Sequence, residues 1–424
     1  MNPSPLYPRL ILVAVIGLVY GNTFLNSFHF DDITSILEKP WIRGVDKIPQ
    51  FLNKQTLFQR PLLILSFNIN YVISEFEVMS YHLFNIVLHV LATLLVFRLV
   101  GRALKFLEDF SPQKGFSSLP FFAAMVFALH PLSTQSVTYI SSRSSIMATV
   151  FYLSALILFF DGFKKWKQTG QKGWVYFISS GICFFLGGLS KEIIVTVPAM
   201  LFIFHFYFIS HKTAKEWIST YAKWIFLLFI PLLTFVGYKQ FIAGGLLTAS
   251  NAYLKTSTWL LTQTSVVPFE YFRKMLFPFN MNIDIDFPIL KNWMQPGNWL
   301  GVVLLGLFIF IWVRISTRVS KVDEVGKRCV GFGMAWILLT LLPTSSFIPL
   351  LDVAVEHRTY LPMVGFVFLI AGAFNYLRIE CLEKFLTFAP LATKLINYCV
   401  VLILIFFALG VMTRNRDWKD EVTL

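Results

Sequence analysis

Charged residues are scarce in this chain. Only 14% of its 424 residues are Asp, Glu, Lys or Arg, whereas 56% are hydrophobic. A soluble domain cannot bury that much apolar surface, so the composition predicts a polytopic membrane protein. The net charge is +13, but the basic residues lie in short loops between apolar runs. That placement is typical of membrane topology rather than of a nucleic-acid-binding surface.

Cysteine and several catalytic motifs are also lacking. The four cysteines, at positions 183, 329, 381 and 399, show no CxxC spacing, so no disulfide or zinc framework is expected. The chain contains no GxxxxGK[ST], GxSxG or HExxH motif. These absences exclude a P-loop ATPase, a nucleophile-elbow hydrolase and a zincin. We predict no metal ligands, and the need for a divalent metal stays open.

Long apolar runs dominate what is present. A membrane-spanning helix needs about 20 apolar residues, and eleven runs reach or approach that length. They lie near residues 10–28, 81–101, 117–133, 137–160, 174–190, 193–210, 222–242, 298–314, 329–348, 360–377 and 394–412. Loops rich in Lys and Arg alternate along the chain with loops that contain almost none. This alternation places the N-terminus in the cytoplasm and the C-terminus outside. The expected fold is a single all-α transmembrane domain spanning residues 1–424.

Two large loops face outward in this topology, residues 28–80 and 243–297. The segments Asp46–Leu57 and Pro61–Ile73 mix polar and apolar positions, which predicts helices lying in the membrane interface. The third apolar run is short and ends at His130-Pro131. We therefore expect a tilted or broken helix there.

Ionisable residues gather at the outer face. Several lie where a charge costs a few kcal/mol unless it is paired or hydrated, so a functional role is the default interpretation. The set comprises Asp31, Asp32, Arg60, His130, Arg143, Lys191, Glu192, Asp284, Asp286, Glu356, His357 and Arg358. Their clustering predicts a polar cavity that opens outward.

Carboxylates beside cations suit group transfer from a lipid phosphate. One carboxylate can take the proton of an acceptor hydroxyl, and Arg or Lys can stabilise the phosphate leaving group. We assign Asp31 as the base and Asp32 as its support. The residues predicted to bind donor phosphate or substrate are Arg60, His130, Arg143, Lys191, Glu192, Glu356, His357 and Arg358; among these, the two glutamates would orient the cations.

Each assignment has a structural alternative. The Asp31-Asp32 pair could simply end a helix in water, and His130-Pro131 could be a helix cap. Arg143 could pair with Asp31 or Asp32 to close the bundle. Arg273 and Lys274 could meet lipid headgroups, and Asp284 and Asp286 could be solvated loop carboxylates.

Several short motifs, taken in order, resemble a known family. They are Phe30-Asp31-Asp32, Arg60-Pro61-Leu62, Ser66-Phe67-Asn68, Tyr81-His82-Leu83-Phe84-Asn85, His130-Pro131, Ser142-Arg143-Ser144, Ser190-Lys191-Glu192 and Glu356-His357-Arg358-Thr359-Tyr360-Leu361-Pro362. The ordered set resembles the GT-C-fold membrane glycosyltransferases. Within these it looks most like the TMTC-type protein O-mannosyltransferases and their bacterial relatives.

The resemblance implies an acceptor-activating acid in the first outer loop, here Asp31 or Asp32. It implies a polyprenyl- or dolichyl-phosphate sugar as donor and Ser or Thr of a protein as acceptor. Family members commonly continue into tetratricopeptide repeats, and Arg416–Asp420 looks like the approach to them. Since the sequence stops at Leu424, we expect either a member without repeats or a truncated one.

Two other function classes compete with this prediction. A transporter or lipid-linked-sugar flippase would need polar groups near mid-membrane and two related halves, whereas the ionisable residues here lie mainly at one face. A structural assembly subunit would need none of them. Short, plain loops favour a bacterial plasma membrane and leave an endoplasmic reticulum location open.

Overall fold

The computed structural model describes residues 6–47, 60–108, 119–170, 173–210, 212–224, 254–319, 325–346, 349–376 and 389–420. These residues form helices and connecting turns, with no β-strand among them. The expected all-helical class is therefore confirmed for this part of the chain. From residue 48 onward, the interfacial helix predicted at Asp46–Leu57 lies outside the described residues.

The longer helices follow one another along the chain with short helical turns between some of them. They are α1 (Leu6–Tyr20), α2 (Pro61–Ser74), α3 (Val78–Glu108), α4 (Leu119–Leu129), α5 (Arg143–Thr169), α6 (Trp174–Gly188), α7 (Val197–Phe204), α8 (214–224), α9 (Thr256–Val266), α10 (Pro296–Arg318), α11 (Val325–Leu341), α12 (Pro362–Tyr376) and α13 (Ala389–Asp417). The predicted interfacial segment Pro61–Ile73 is helical, as α2.

Six helical segments are long and apolar enough to cross a membrane by length and composition. They are Leu6–Thr23, Val78–Leu107, Ile140–Thr169, Glu192–Ile209, Gly297–Arg318 and Lys394–Asp417. Four shorter apolar helices, α2, α4, α6 and α12, accompany them. These helices support an integral membrane protein, but the described residues do not confirm a count of eleven spans. The run predicted near 222–242 lies outside them from residue 225 onward.

The third apolar run is a broken helix, as predicted. A residue before proline is pushed out of the helical region, and His130 is extended, with φ −67° and ψ 124°. The helix α4 therefore ends at Leu129. Three short helical turns, Pro131–Ser133, Thr134–Thr138 and Ile140–Ser142, lead to the start of α5. This irregular connection places a run of polar side chains at the beginning of α5.

The chain divides into two compact units. The first contains residues 1–102, 115–194 and 382–424, and the second contains residues 103–114 and 195–381. Each unit is assembled from separated stretches of the chain. Each unit is therefore described by itself.

The loop after α1 packs onto the rest of the first unit through buried apolar side chains. Ile36 and Ile42 are fully buried with Phe67 of α2 and Tyr81 of α3. The amide Nδ2 of Asn68, on α2, donates to the carbonyl oxygens of Ile42 and Gly44, each at 2.9 Å. The loop that follows Asp31 and Asp32 is thereby held against the helices, which gives the two carboxylates a defined setting.

In the second unit, α11 and α12 approach closely through glycine. Gly333 and Gly326 lie seven residues apart on α11, and Gly365 and Gly372 lie seven apart on α12. Seven residues are about two helical turns, so each pair shares one helix face. Gly326 faces Gly372 and Gly333 faces Gly365. Small residues allow such close backbone approach between helices in a membrane.

We expect Gly365→Ala to destabilise the second unit by about 1–3 kcal/mol, the usual cost of overpacking. A Cβ at Gly365 would lie 2.6 Å from the Gly333 carbonyl oxygen and 2.8 Å from Cβ of Trp336. The thermal unfolding midpoint in detergent measures the effect. Gly306→Ala on α10 is the matched control, because a Cβ there meets nothing within 4 Å. Equal midpoints for the two variants would contradict the prediction.

Candidate functional site

The two adjacent carboxylates after the first helix have different environments. Asp31 is exposed, whereas Asp32 retains only 1% of its surface. The preceding residue, Phe30, has a positive φ of 45°, a conformation that costs energy for a side chain other than glycine. Strain of this kind concentrates at functional sites, and here it lies next to the exposed carboxylate.

Asp32 is an anchored hydrogen-bond acceptor. Its Oδ1 accepts from the backbone N–H of Ser141 at 2.7 Å and from the Ser141 hydroxyl. Its Oδ2 accepts from the backbone N–H of His29 at 3.1 Å. Burial raises the pKa of Asp32 to about 7, although the bonds from Ser141 and His29 oppose the shift. Asp32 therefore joins the loop after α1 to the segment before α5.

This raised pKa predicts a pH-dependent stability. An aspartate in an unfolded chain ionises near pH 4, while folded Asp32 keeps its proton up to about pH 7. The free energy of unfolding should therefore fall as the pH rises from about 4 to about 7. Thermal midpoints of wild type and Asp32→Asn across that range measure it, because the amide does not titrate. A constant gap between the two proteins would contradict the expectation.

Asp31 is the carboxylate that a substrate can reach. Its backbone N–H donates to the phenol oxygen of Tyr139 at 2.9 Å, so the main chain at Asp31 is tied down while the residue stays exposed. Burial raises the pKa of Tyr139, and the two carboxylates add to the shift. Tyr139 is therefore a neutral phenol, able to accept this hydrogen bond. The roles predicted for Asp31 and Asp32 stay predictions.

Two serines at the start of α5 contact two of the predicted cationic residues. The Lys191 ammonium donates to the Ser145 hydroxyl at 2.8 Å, and Lys191 is 8% exposed. The Arg60 guanidinium lies 3.5 Å from the Ser144 hydroxyl. Because Ser141 holds Asp32, the segment Ser141–Ser145 brings Asp32, Arg60 and Lys191 to one region of the first unit.

Arg60 is held in a strained conformation before Pro61. Its φ is 57° and its ψ is 64°, in the left-handed region. Its Nη2 lies 3.5 Å from Oε2 of Glu192, and both side chains are about two-fifths exposed, at 40% and 41%. The backbone N–H of Leu62 donates to the carbonyl oxygen of Leu189 at 3.2 Å. The start of α2 and the end of α6 are therefore joined, which keeps the Arg60 and Lys191 segments together.

The helix dipole adds to the positive charge in this region, because it is positive at the start of a helix. The first backbone N–H groups there already have partners: that of Ser141 donates to Asp32, and those of Ser142 and Arg143 donate to carbonyl oxygens of the preceding turn. The side chains of Arg60 and Lys191 are therefore the groups in this region that suit an anionic ligand.

Arg143 lies inside the first unit and is fully buried. Its guanidinium donates to Oδ1 of Asn85 at 2.6 Å, Oδ1 of Asn70 at 2.7 Å, the Ser66 hydroxyl at 3.0 Å and the Tyr81 carbonyl oxygen at 3.0 Å. Among the described residues these partners are neutral oxygens. The alternative considered above, in which an ion pair between Arg143 and Asp31 or Asp32 closes the bundle, is therefore wrong for this part of the chain.

Three aromatic rings complete the surroundings of Arg143. The guanidinium carbon lies 4.7 Å from the ring centre of Phe67, 5.8 Å from Tyr81 and 4.5 Å from Phe84. The residue therefore holds α2 and α3 onto α5. A donor phosphate would reach it only if these contacts opened.

His130 caps the turn that follows it. Its Nδ1 accepts from the backbone N–H of Leu132 at 3.2 Å, and the residue is fully buried. Its ring packs edge-on against Phe407 at 4.7 Å. The capping alternative is confirmed by this geometry, and contact with a substrate stays a prediction.

The second unit holds the remaining predicted residues. Glu356 is 1% exposed, and its Oε1 lies 2.9 Å from the Lys274 ammonium and accepts from the backbone N–H of Asn282 at 2.9 Å. Lys274 also lies 3.0 Å from Oε2 of Glu270. The alternative that Lys274 meets lipid headgroups is wrong, because it is 1% exposed between two carboxylates.

Arg358 is fixed by backbone oxygens. Its guanidinium donates to the carbonyl oxygens of Asp352 at 2.8 Å and Val353 at 3.3 Å, while its neighbour His357 is half-buried. Asp284 and Asp286 are exposed, as their solvated alternative predicts. The described residues contain no group of three or more His, Cys, Asp or Glu placed to hold a metal ion.

Sequence reasoning missed several residues that build this site. Ser141 and Ser145 directly flank the motif Ser142-Arg143-Ser144 but were not predicted to belong to the site. No sequence pattern indicated a role for Tyr139. The i, i+4 spacing of Glu270 and Lys274 is typical of a helical ion pair and could have indicated their contact.

Comparison with known proteins agrees with the motifs. The chain is 24% identical over 439 residues to a protein O-mannosyl-transferase of Caenorhabditis elegans, covering 98% of this chain and 56% of that protein. It is 25% identical over 466 residues to protein O-mannosyl-transferase TMTC3 of Mus musculus, covering 98% and 46%. It is 22% identical over 477 residues to protein O-mannosyl-transferase TMTC4 of Homo sapiens, covering 99% and 61%.

No family model matches the chain. No solved structure matches it either. The chain spans about half the length of the curated relatives it matches. Over nearly its own whole length it is similar to the TMTC-type protein O-mannosyltransferases, which confirms the resemblance that its ordered motifs carry.

Proposed function

We propose that this chain is an integral-membrane glycosyltransferase that moves a sugar from a polyprenyl- or dolichyl-phosphate carrier to a hydroxyl group. Its relatives are named protein O-mannosyl-transferases, so the proposed sugar is mannose and the proposed acceptor is Ser or Thr of a protein. The face is extracytoplasmic, and the membrane is the bacterial plasma membrane.

One observation carries the proposal. An exposed carboxylate, Asp31, follows the first apolar helix, and its buried neighbour Asp32 is bound to the same Ser141–Ser145 segment that binds Arg60 and Lys191. The loop that carries the proposed base and the two cations are thereby attached to one segment of the chain. This is the combination that transfer from a phosphate leaving group requires.

The proposed reaction is a displacement at the anomeric carbon. Asp31 takes the proton of the acceptor hydroxyl as its oxygen forms a bond to that carbon. The bond between this carbon and the phosphate oxygen breaks, and the lipid phosphate leaves with the electron pair. Arg60 and Lys191 stabilise the charge on the leaving phosphate.

The other predicted residues have supporting roles in this proposal. Glu192 orients Arg60 through their contact at 3.5 Å. Arg143 keeps α2 and α3 in place on α5. Glu356, His357 and Arg358 of the second unit stay predicted donor-binding residues, with Glu356 held by Lys274.

A transfer assay tests the proposal. Purified protein in detergent would be offered polyprenyl-phosphate mannose, the matching glucose and N-acetylglucosamine donors, and a Ser/Thr-rich peptide beside the same peptide with Ala at those positions. We expect sugar on the hydroxyl-bearing peptide alone, with release of polyprenyl phosphate. Release of phosphate without glycosylated product, or no consumption of any donor, would count against the proposal.

A further inference from the structure

Residues at the end of α13 bind the loop that carries the candidate base. The Lys419 carbonyl oxygen accepts from the backbone N–H of Ser27 at 3.1 Å and from its hydroxyl at 3.2 Å. The Trp418 carbonyl oxygen lies 2.9 Å from Nε2 of His29. A carbonyl oxygen only accepts, so Nε2 of His29 carries a proton and donates. Segments about 390 residues apart in sequence are thus joined beside Asp31.

The indole of Trp418 reaches Asp31 through one further residue. It stacks on the ring of Tyr139, with ring centres 5.2 Å apart and an interplanar angle of 21°. The phenol oxygen of Tyr139 accepts from the backbone N–H of Asp31. The ring of Phe30, in turn, lies edge-on to Tyr139 at 6.4 Å. Trp418 is 1% exposed, so the stack is enclosed.

Asn415 fixes the end of α13 in this position. Its side-chain Nδ2 donates to the Val19 carbonyl oxygen at 3.1 Å and to Oδ1 of Asn22 at 2.8 Å. Its Oδ1 accepts from the Thr138 hydroxyl at 2.8 Å. The residue is fully buried, and Thr138 directly precedes Tyr139. The support behind the Trp418–Tyr139 stack is therefore rigid on both sides.

We propose that Trp418 is a positioning residue for Asp31, acting through the stack on Tyr139. The inference rests on the proposed function of Asp31 as the base. A base must lie within hydrogen-bond reach of the proton that it takes, and a displacement of about 1 Å can cost about 10²-fold in rate. Trp418 touches no substrate in this proposal; it determines where the main chain of residue 31 lies.

Two substitutions of Trp418 distinguish its aromatic face from its other properties. Among the described residues its indole Nε1 has no hydrogen-bond partner, so Phe keeps the aromatic face that matters and Leu removes it. Tyr139→Phe keeps the stack and removes the oxygen that accepts from Asp31. Trp299→Leu on α10 is the matched control, because Trp299 is 55% exposed.

The first measurement is kcat and the donor KM per folded molecule for each variant. We expect kcat to fall by about tenfold or more in Trp418→Leu and Tyr139→Phe with the donor KM nearly unchanged, as for loss of a contribution made only in the transition state. Trp418→Phe and Trp299→Leu should keep wild-type kcat. Folded Trp418→Leu with wild-type kcat would overturn the inference, and so would an equal loss in Trp418→Phe.

The second measurement needs no transfer activity. Asp31→Cys would be reacted with a maleimide in the Trp418, Trp418→Phe and Trp418→Leu backgrounds, and modification of residue 31 followed by peptide mass spectrometry. We expect Trp418→Leu alone to change the rate by about threefold or more, because thiol reactivity follows the local environment and access. Equal rates in all three would overturn the inference. If Asp31→Asn lost activity while the labelling rates in the three Trp418 backgrounds were equal, the proposed function would stand and the inference about Trp418 would fall.

Discussion

Replacing Asp31 by Asn is expected to lower the transfer rate by about 10²–10⁴-fold, the contribution typical of a positioned general base. The amide occupies nearly the same volume and cannot take the acceptor's proton. Asp31 is exposed, so the substitution should leave the fold unchanged. Donor binding should survive, because the lost contribution arises in the transition state. Single-turnover transfer and equilibrium binding of the lipid-phosphate sugar measure the two effects separately.

Asp46→Asn is the matched control for this experiment. Asp46 lies in the same loop after α1, its side chain is 71% exposed, and its partner is the neighbouring Lys47 at 3.1 Å. It should keep wild-type transfer. Asp32→Asn should also lower transfer, but together with a changed melting behaviour, because Asp32 accepts three hydrogen bonds that order the loop. Full transfer by folded Asp31→Asn would show that the base lies elsewhere.

Arg143→Met is expected to destabilise the first unit strongly. The substitution removes a donor from four buried oxygens, and two of them, the amide oxygens of Asn70 and Asn85, lose the partner that holds them. A buried polar group left without its partner costs about 1–3 kcal/mol, so the two together take a large share of the roughly 5–15 kcal/mol by which a protein is stable. Fluorescence-detected gel filtration and the thermal midpoint in detergent would report the loss.

Arg143→Lys separates shape from charge at this position. Lysine keeps the positive charge, but its single ammonium cannot reproduce the planar fork of five donors that spans α2 and α3. We therefore expect an intermediate loss of stability. Arg318→Met at the exposed end of α10 should have no measurable effect. A stable, folded Arg143→Met protein that had merely lost donor affinity would instead show that Arg143 binds the phosphate directly.

The membrane architecture could be predicted largely from local patterns. Apolar runs and scarce charge predict helices without knowledge of their neighbours, and the break at His130-Pro131 follows from the steric rule for residues before proline. The number of spans did not follow from local patterns, because runs of borderline length such as α4 and α6 have no local signal that separates a crossing helix from a shorter one. Similarity to relatives followed from ordered motifs, each of them weak alone.

The candidate site was predictable as a set of residues and not as a set of roles. Asp31 and Asp32 are identical in type and adjacent, and only contacts with Ser141 and Tyr139, more than a hundred positions later, make one buried and the other exposed. A headgroup contact was one alternative for Lys274, because its partner Glu356 lies 82 residues away and no local pattern connects them. Such pairings depend on how distant segments pack together, and a local sequence pattern carries no information about that packing.

The sequence by itself therefore determined the helical membrane class, the carboxylate pair after the first helix and the family that the motifs resemble, since these depend on composition and short-range order. The tertiary structure alone decided which carboxylate is exposed, that Arg143 is buried among neutral partners, and that Trp418 stacks on the tyrosine hydrogen-bonded to Asp31. The physical reason is that burial and hydrogen-bond partners are set where distant segments pack together. Asn415 and Asn26, separated by 389 residues yet hydrogen-bonded at 2.9 Å, illustrate that dependence.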